Sequence, residues 1–185
     1  QKRPKRYRQL SRRYNRGPMI SENHIILSNA QINQKIKRIA YQIYESNSDE
    51  KEVVIAGIIG NGYAFSKKIA EVLTQISTLK VTLCEVVIDK KKPLSPITTS
   101  LSAENYTNKP LVLVDDVLNS GTTLIYGIKH FLAVPLKRFK TAVLVNRNHK
   151  KYPVKADFKG ISLSTSIKEH VQVAFTGTEA IAYLM

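Results

Sequence analysis

Two adjacent carboxylates, Asp115 and Asp116, are followed within a few residues by Asn119, Ser120, Gly121, Thr122 and Thr123. Carboxylates accept hydrogen bonds from vicinal hydroxyls. A small-residue loop feeding a helix N-terminus offers unpaired N–H groups and a positive dipole end, which suit a phosphate. A phosphate alone gains nothing from two acids beside it, whereas a phosphorylated sugar uses both halves of the constellation. The plainer alternative for the same residues is a strand–turn–helix whose acids cap the helix.

The surrounding pattern supplies the elements that would position these groups. Leu111–Val114 is an apolar run without alternation, as expected of a strand buried on both faces of a parallel sheet. The acids then fall at its carboxyl end, where ligands bind in open α/β sheets. Leu124, Ile125, Ile128, Phe131 and Leu132 recur at helical spacing, and Pro135 marks a stop. A second unit of the same kind precedes it. Val53–Ile58 reads as a buried strand, Ile59-Gly60-Asn61-Gly62 as a loop, and Tyr63–Ile76 as a helix. Its glycines suit either a second anion or simply a tight turn. Ser28 and Gln31 make a capping box before the helical stripe Ile32, Ile36, Ile39, Ala40 and Ile43, which ends near Ser46. Val81–Ile88 and Thr141–Val145 are further strands. Residues 89–109 are long, polar and irregular, with Lys90, Lys91 and Lys92 near their start, so this stretch is either a functional lid or a solvated bend.

At 185 residues the chain is expected to form one domain beyond its N-terminal arm. Eight of the fifteen net positive charges fall in residues 1–18, which contain no acid. Such an arm is disordered by itself and suited to polyanions, with Tyr7 and Tyr14 available to stack on RNA bases. A plain solvated tail, or a stretch upstream of a start at Met19, would account for it equally. No apolar run approaches the roughly 20 residues that span a membrane, and no signal-like apolar region opens the chain, so no membrane partner is expected. The single cysteine, Cys84, rules out an internal disulfide framework and fits a reducing cytoplasm. His24, His130, His149 and His170 show no metal-ligand spacing.

Val-Asp-Asp-Val-Leu-Asn-Ser-Gly-Thr-Thr, residues 114–123, resembles the phosphoribosyl-pyrophosphate motif of the type I phosphoribosyltransferases. The resemblance tightens at Ala142–Gly160 followed by Ser164-Thr165-Ser166, which is similar to bacterial pyrimidine-operon attenuator proteins that are also uracil phosphoribosyltransferases. It covers roughly residues 28–175. What it implies is a doubly wound α/β domain with a mainly parallel sheet and a small C-terminal hood. The domain would span 19–185, with a mobile loop near 89–109 and the hood near 146–185. Asp115 and Asp116 would hold the ribose hydroxyls and orient Mg²⁺, directly or through water. Asn119–Thr123 would surround the 5′-phosphate, and Gly60, Asn61 and Gly62 the pyrophosphate. Lys90–Lys92 would screen the departing pyrophosphate, and Arg147, Asp157 and Phe158 would belong to the hood over the base. The partners implied are phosphoribosyl pyrophosphate and a nucleobase, with a pyrimidine such as uracil favoured and pyrophosphate released, and the assembly a homo-oligomer, a dimer.

Departures from those relatives are also legible. They carry Lys-Thr-Arg-Gly in the first glycine loop, where this chain has no side-chain cation. They carry arginine in the mobile loop, Gly-Arg-Thr after the acids and Val-Asp-Arg where this chain has Val145-Asn146-Arg147. Arginine forks onto phosphate oxygens and lysine is a point charge, so binding is expected to survive better than turnover. The oxopurine enzymes usually place an aspartate at Asn119, and an amide cannot accept a proton there. Hypoxanthine and guanine are therefore disfavoured. The competing class is a non-catalytic or weakly catalytic sensor of phosphoribosyl pyrophosphate or nucleotide that binds RNA.

Overall fold

The computed structural model describes residues 24–147, 149–164 and 169–185; the basic arm of residues 1–18 lies outside them. In chain order the elements are β1 (Ile25–Leu27), α1 (Asn29–Ser46), β2 (Glu52–Ile58), α2 (Asn61–Ile76), β3 (Lys80–Val87), β4 (Thr98–Thr99), β5 (Pro110–Leu118), α3 (Thr122–Phe131), β6 (Arg138–Arg147), β7 (Phe158–Leu163), β8 (Val171–Thr176) and β9 (Glu179–Leu184). Six strands form one sheet in the order β4-β3-β2-β5-β6-β7, parallel except for the short edge strand β4.

The sheet is covered on both faces, which explains the unbroken apolar runs. Val112 and Val114 of β5 face the cluster built with Ile32, Ile39 and Ile43 of α1 and Phe65 and Ile69 of α2. Leu111 and Leu113 face the other way, into a cluster with Leu124 and Phe131 of α3. This is a doubly wound α/β fold. The capping box forms as expected: Gln31 N donates to Ser28 Oγ, and Ser28 N donates to the Gln31 side chain.

Three expectations are corrected. The hood is a three-stranded antiparallel sheet in the order β1-β9-β8, so it draws its first strand from the N-terminal side of the domain. Phe158–Leu163 is not in it, because β7 pairs in parallel with β6 and extends the main sheet. The stretch 89–109 is not uniformly irregular. β4 pairs with β3, Ser100 N donates to the Glu85 carbonyl, and a 3₁₀ turn covers Ala103–Asn105. No helix among the described residues is long and apolar enough to cross a membrane.

His130, near the end of α3, stands edge-on to Phe131 with ring centroids 5.2 Å apart, and its Nε2 is buried without a hydrogen-bond partner. Burial holds its pKa below the usual 6.5. The folded state therefore keeps the imidazole neutral while the unfolded chain takes up a proton, and stability falls as pH drops through the ordinary histidine range. Replacing His130→Leu should flatten that loss, read as a smaller fall in melting temperature between about pH 7.5 and about pH 5.5 than wild type shows. An unchanged fall would assign the acid sensitivity to other groups.

Candidate active site

Strand β2 leads to β3 on one side of it and β5 leads to β6 on the other, so the crevice at their carboxyl ends is the topological switch point of the sheet. The pairing of β2 with β5 ends at Gly57 and Val114, but β5 continues against β6 alone, with Asp115 opposite Val143 and Val117 opposite Val145. The acids therefore sit inside a strand whose β2-side edge has been released, not in a loop after it.

Asp115 is buried, 3% exposed, and its Oδ1 accepts from the Asp116 backbone N–H at 2.9 Å. Lys90 Nζ lies 3.8 Å from the same oxygen. Burial pushes the Asp115 carboxyl well above the ordinary carboxylate range, the neighbouring Asp116 adds to this, and Lys90 opposes it. Asp115 is thus a buried acid at the open end of the strand. Asp116 is half-buried and lines an adjoining cleft.

Helix α2 begins at Asn61, so Asn61 and Gly62 form its first turn and only Ile59 and Gly60 remain as loop, with Gly60 at φ 89°. A Cβ on Gly62 would lie 2.9 Å from Asp115 Oδ1 and 3.2 Å from its Cα. Glycine is needed there for the helix end to close on the acid. Asn61 is exposed, but its Nδ2 is not free for an anion, because it donates to the Val173 carbonyl of β8 at 2.7 Å and ties this turn to the hood.

On the other side, Gly121 caps α3 in the left-handed region, φ 83°, and Thr122 and Thr123 are already helical. Ser120 Oγ and Thr122 Oγ1 are 2.9 Å apart, and Thr122 N donates to Ser120 Oγ at 3.3 Å. The Ser120 carbonyl accepts from Lys151 N at 2.8 Å and Tyr152 N at 3.2 Å. The segment after β6, expected in the hood, thus buttresses the loop from behind. The loop, Asp115 and Lys90 enclose a cleft of about 270 Å³. A second cleft of about 370 Å³ adjoins it, where Asn61, Asp116, Asn119 and Arg147 face His170, Gln172 and Val173.

Of the three lysines only Lys90 reaches the site. The backbones of Lys91 and Lys92 donate to Asp89 Oδ1 in a local turn, and both residues are exposed. Arg147, 2% exposed at the end of β6, bridges the loop and the hood by donating to Asn119 Oδ1 and to the Glu169 carbonyl. Asp157 and Phe158 are not brought to the site. Asp157 accepts from Thr141 N and pairs with Lys140, near the opposite end of β6, and Phe158 pairs with Ala142. Six residues separate Thr141 from Arg147, roughly 20 Å of strand at about 3.3 Å per residue. No local spacing in the sequence marks His170, Gln172 and Val173 as site residues; only closure of the hood brings them here.

A buried acid beside a half-buried one, next to a helix N-terminus capped by a left-handed glycine, thus lies at the switch point of a parallel sheet. The phosphoribosyl transferase domain family matches residues 22–176, and the chain belongs to that family of pentosyl-transferring enzymes. It is 31% identical over 159 residues to the bifunctional protein PyrR of Streptococcus sanguinis, covering 83% of this chain and 91% of that one. With the bifunctional protein PyrR of Streptococcus pneumoniae it shares 34% over 151 residues, 78% of this chain and 86% of that one. Among solved structures it is similar to a hypoxanthine-guanine phosphoribosyltransferase of Bacillus anthracis, with TM-score 0.68, 20% identity and coverage of 82% and 87%. A hypoxanthine phosphoribosyl transferase of Trypanosoma cruzi gives TM-score 0.71 at 14% identity, covering 91% and 94%. These two likenesses bear on the fold alone.

Proposed function

We propose that this protein binds phosphoribosyl pyrophosphate and joins its ribose C1 to a ring nitrogen of a pyrimidine such as uracil, releasing pyrophosphate. The observation that carries the reading is that Asp115 shares a crevice with the N-terminus of α3 while Asp116 lines the cleft adjoining it. The 5′-phosphate takes the backbone N–H groups of the Ser120–Thr123 turn, and the ribose hydroxyls donate to the carboxylates. The C1–oxygen bond breaks with its electron pair leaving on pyrophosphate, the C1–nitrogen bond forms, and the base N–H proton passes to the released pyrophosphate. Positive charge builds on the ribose as pyrophosphate leaves, so the fixed carboxylates and loop dipoles do the work by position and electrostatics. Lys90, already beside Asp115, is placed to meet the leaving group.

Magnesium fits this site as a companion of the substrate. Among the described residues no group of three or more ligating side chains comes together into a cage. Asp115 and Asp116 would orient an ion carried by the pyrophosphate and the sugar hydroxyls, and the ion would neutralise charge on the leaving group. The pyrimidine preference rests on the sequence resemblance and on the amide at Asn119. Calorimetry with phosphoribosyl pyrophosphate, with and without Mg²⁺, followed by chromatography of uracil reactions, tests the reading. Magnesium-dependent heat and formation of UMP are expected; no heat at millimolar ligand from folded protein would overturn it.

The eight cations of residues 1–18 favour a second role in binding RNA. With about five phosphate contacts, log K against log salt should slope at about −3.5 for single strands, at roughly −0.7 per contact. Deleting residues 1–18 should flatten that slope for all sequences alike and leave base transfer intact. A slope that survives deletion would move the interface onto the folded domain.

A further inference from the structure

Asn119 stands where the two clefts meet, and its side chain has a definite polarity. Arg147 Nη1 donates to Asn119 Oδ1 at 3.3 Å, while Nη2 donates to the Glu169 carbonyl at 2.6 Å, so the guanidinium is held from both sides. Guanidinium nitrogens only donate. The asparagine oxygen must therefore face Arg147, which leaves its Nδ2 as the group turned to the cleft. Arg147 is 2% exposed, and rotating the amide would set a second donor against this buried guanidinium.

We propose that Arg147 is a positioning residue that fixes the Asn119 amide with its NH₂ toward the base, so that the site selects a 2-oxopyrimidine. This rests on the phosphoribosyl-transfer reading and adds to it. In such a base the ring carbon beside the reacting nitrogen carries a carbonyl oxygen. When that nitrogen loses its proton, negative charge spreads onto the oxygen, and a fixed N–H donor stabilises it. A base that presents N–H at the same place finds a second donor and no acceptor.

Calorimetry with UMP, using ribose 5-phosphate as the control, tests this without requiring turnover. Asn119→Asp, which offers an acceptor to the cleft while keeping the contact to Arg147, should weaken UMP by about tenfold or more relative to ribose 5-phosphate. Arg147→Gln should weaken UMP severalfold with ribose 5-phosphate held, and should add nothing further in an Asn119→Ala background, because it acts through that amide. Arg147→Lys, a donor without the fork, should fall between Arg147→Gln and wild type. If the losses from Asn119→Ala and Arg147→Gln simply add, or Asn119→Asp binds UMP as wild type does, the proposal is overturned. Ribose 5-phosphate binding without any UMP binding would overturn it and leave the sugar-phosphate site standing; loss of both ligands in wild type would remove the functional reading itself. Should Arg147→Gln fail to fold, the Asn119→Asp comparison decides alone.

Discussion

Replacing Asp115 and Asp116 together with asparagine is expected to abolish phosphoribosyl pyrophosphate binding without loosening the fold. A hydrogen bond to a charged group contributes about 1.5–3 kcal/mol, so removing two charged acceptors should cost roughly a hundredfold in affinity or more. The stability side follows from the direction of the Asp115 shift. Its carboxyl is raised above the ordinary range, first by burial and then by Asp116. The folded chain therefore holds a proton that the unfolded chain releases, and stability is lost as pH rises from the ordinary carboxylate value through the folded one. Asp115→Asn has no proton to lose over this range and so removes that loss. The substituted amide would also keep an oxygen for the Asp116 N–H that Asp115 accepts at 2.9 Å. The melting temperature at about pH 7 should hold or rise while calorimetric heat disappears. Retained binding would remove the acids from the site; unfolding in step with lost binding would make them structural.

The same two residues show where sequence is informative and where it stops. The apolar run Leu111–Val114 and the small residues after the acids identify strand, loop and helix because each depends on local periodicity and turn chemistry. The acids themselves read as lying beyond the strand, since carboxylates are poor strand formers. Pairing of Asp115 with Val143 and of Leu118 with Asn146 overrides that preference, and a neighbouring strand is not visible in a local window. The same limit applies to Asn61. Its position after a glycine suggests a phosphate ligand, but its partner, Val173, is 112 residues away. A motif places Asp157 in the hood, whereas its hydrogen bonds to Thr141 put it at the far end of β6. β1 has only three residues, too few for any alternation to declare itself, and from sequence the hood therefore reads as wholly C-terminal.

Gly121 should be the position least tolerant of change in the phosphate loop, for two separable reasons. Its φ of 83° lies in the left-handed region, where an L side chain costs roughly 1–2 kcal/mol. A Cβ there would also collide with Val154 Cγ1. Val154 cannot simply withdraw, because Lys151 N and Tyr152 N hold the Ser120 carbonyl and Val154 N donates to the Tyr152 carbonyl. Gly121→Ala should therefore lower the melting temperature by several degrees, at about 2–4 °C per kcal/mol for a chain of this size, and weaken ribose 5-phosphate about tenfold or more. Gly121→Pro should be worse, since it removes a donor and fixes φ near −65°. Thr122→Ala loses only the hydroxyl contact to Ser120 and should stay within about threefold of wild type. Gly60→Ala is a different case: φ is 89° there, but nothing lies within 4 Å of its Cβ. It carries backbone strain without a collision, but at ψ −131° where Gly121 has ψ 0°, so its loss reports the strain of that turn alone and is not subtracted from the Gly121→Ala loss. If Thr122→Ala costs ribose 5-phosphate more than Gly121→Ala does, side-chain hydroxyls and not backbone N–H groups hold the phosphate.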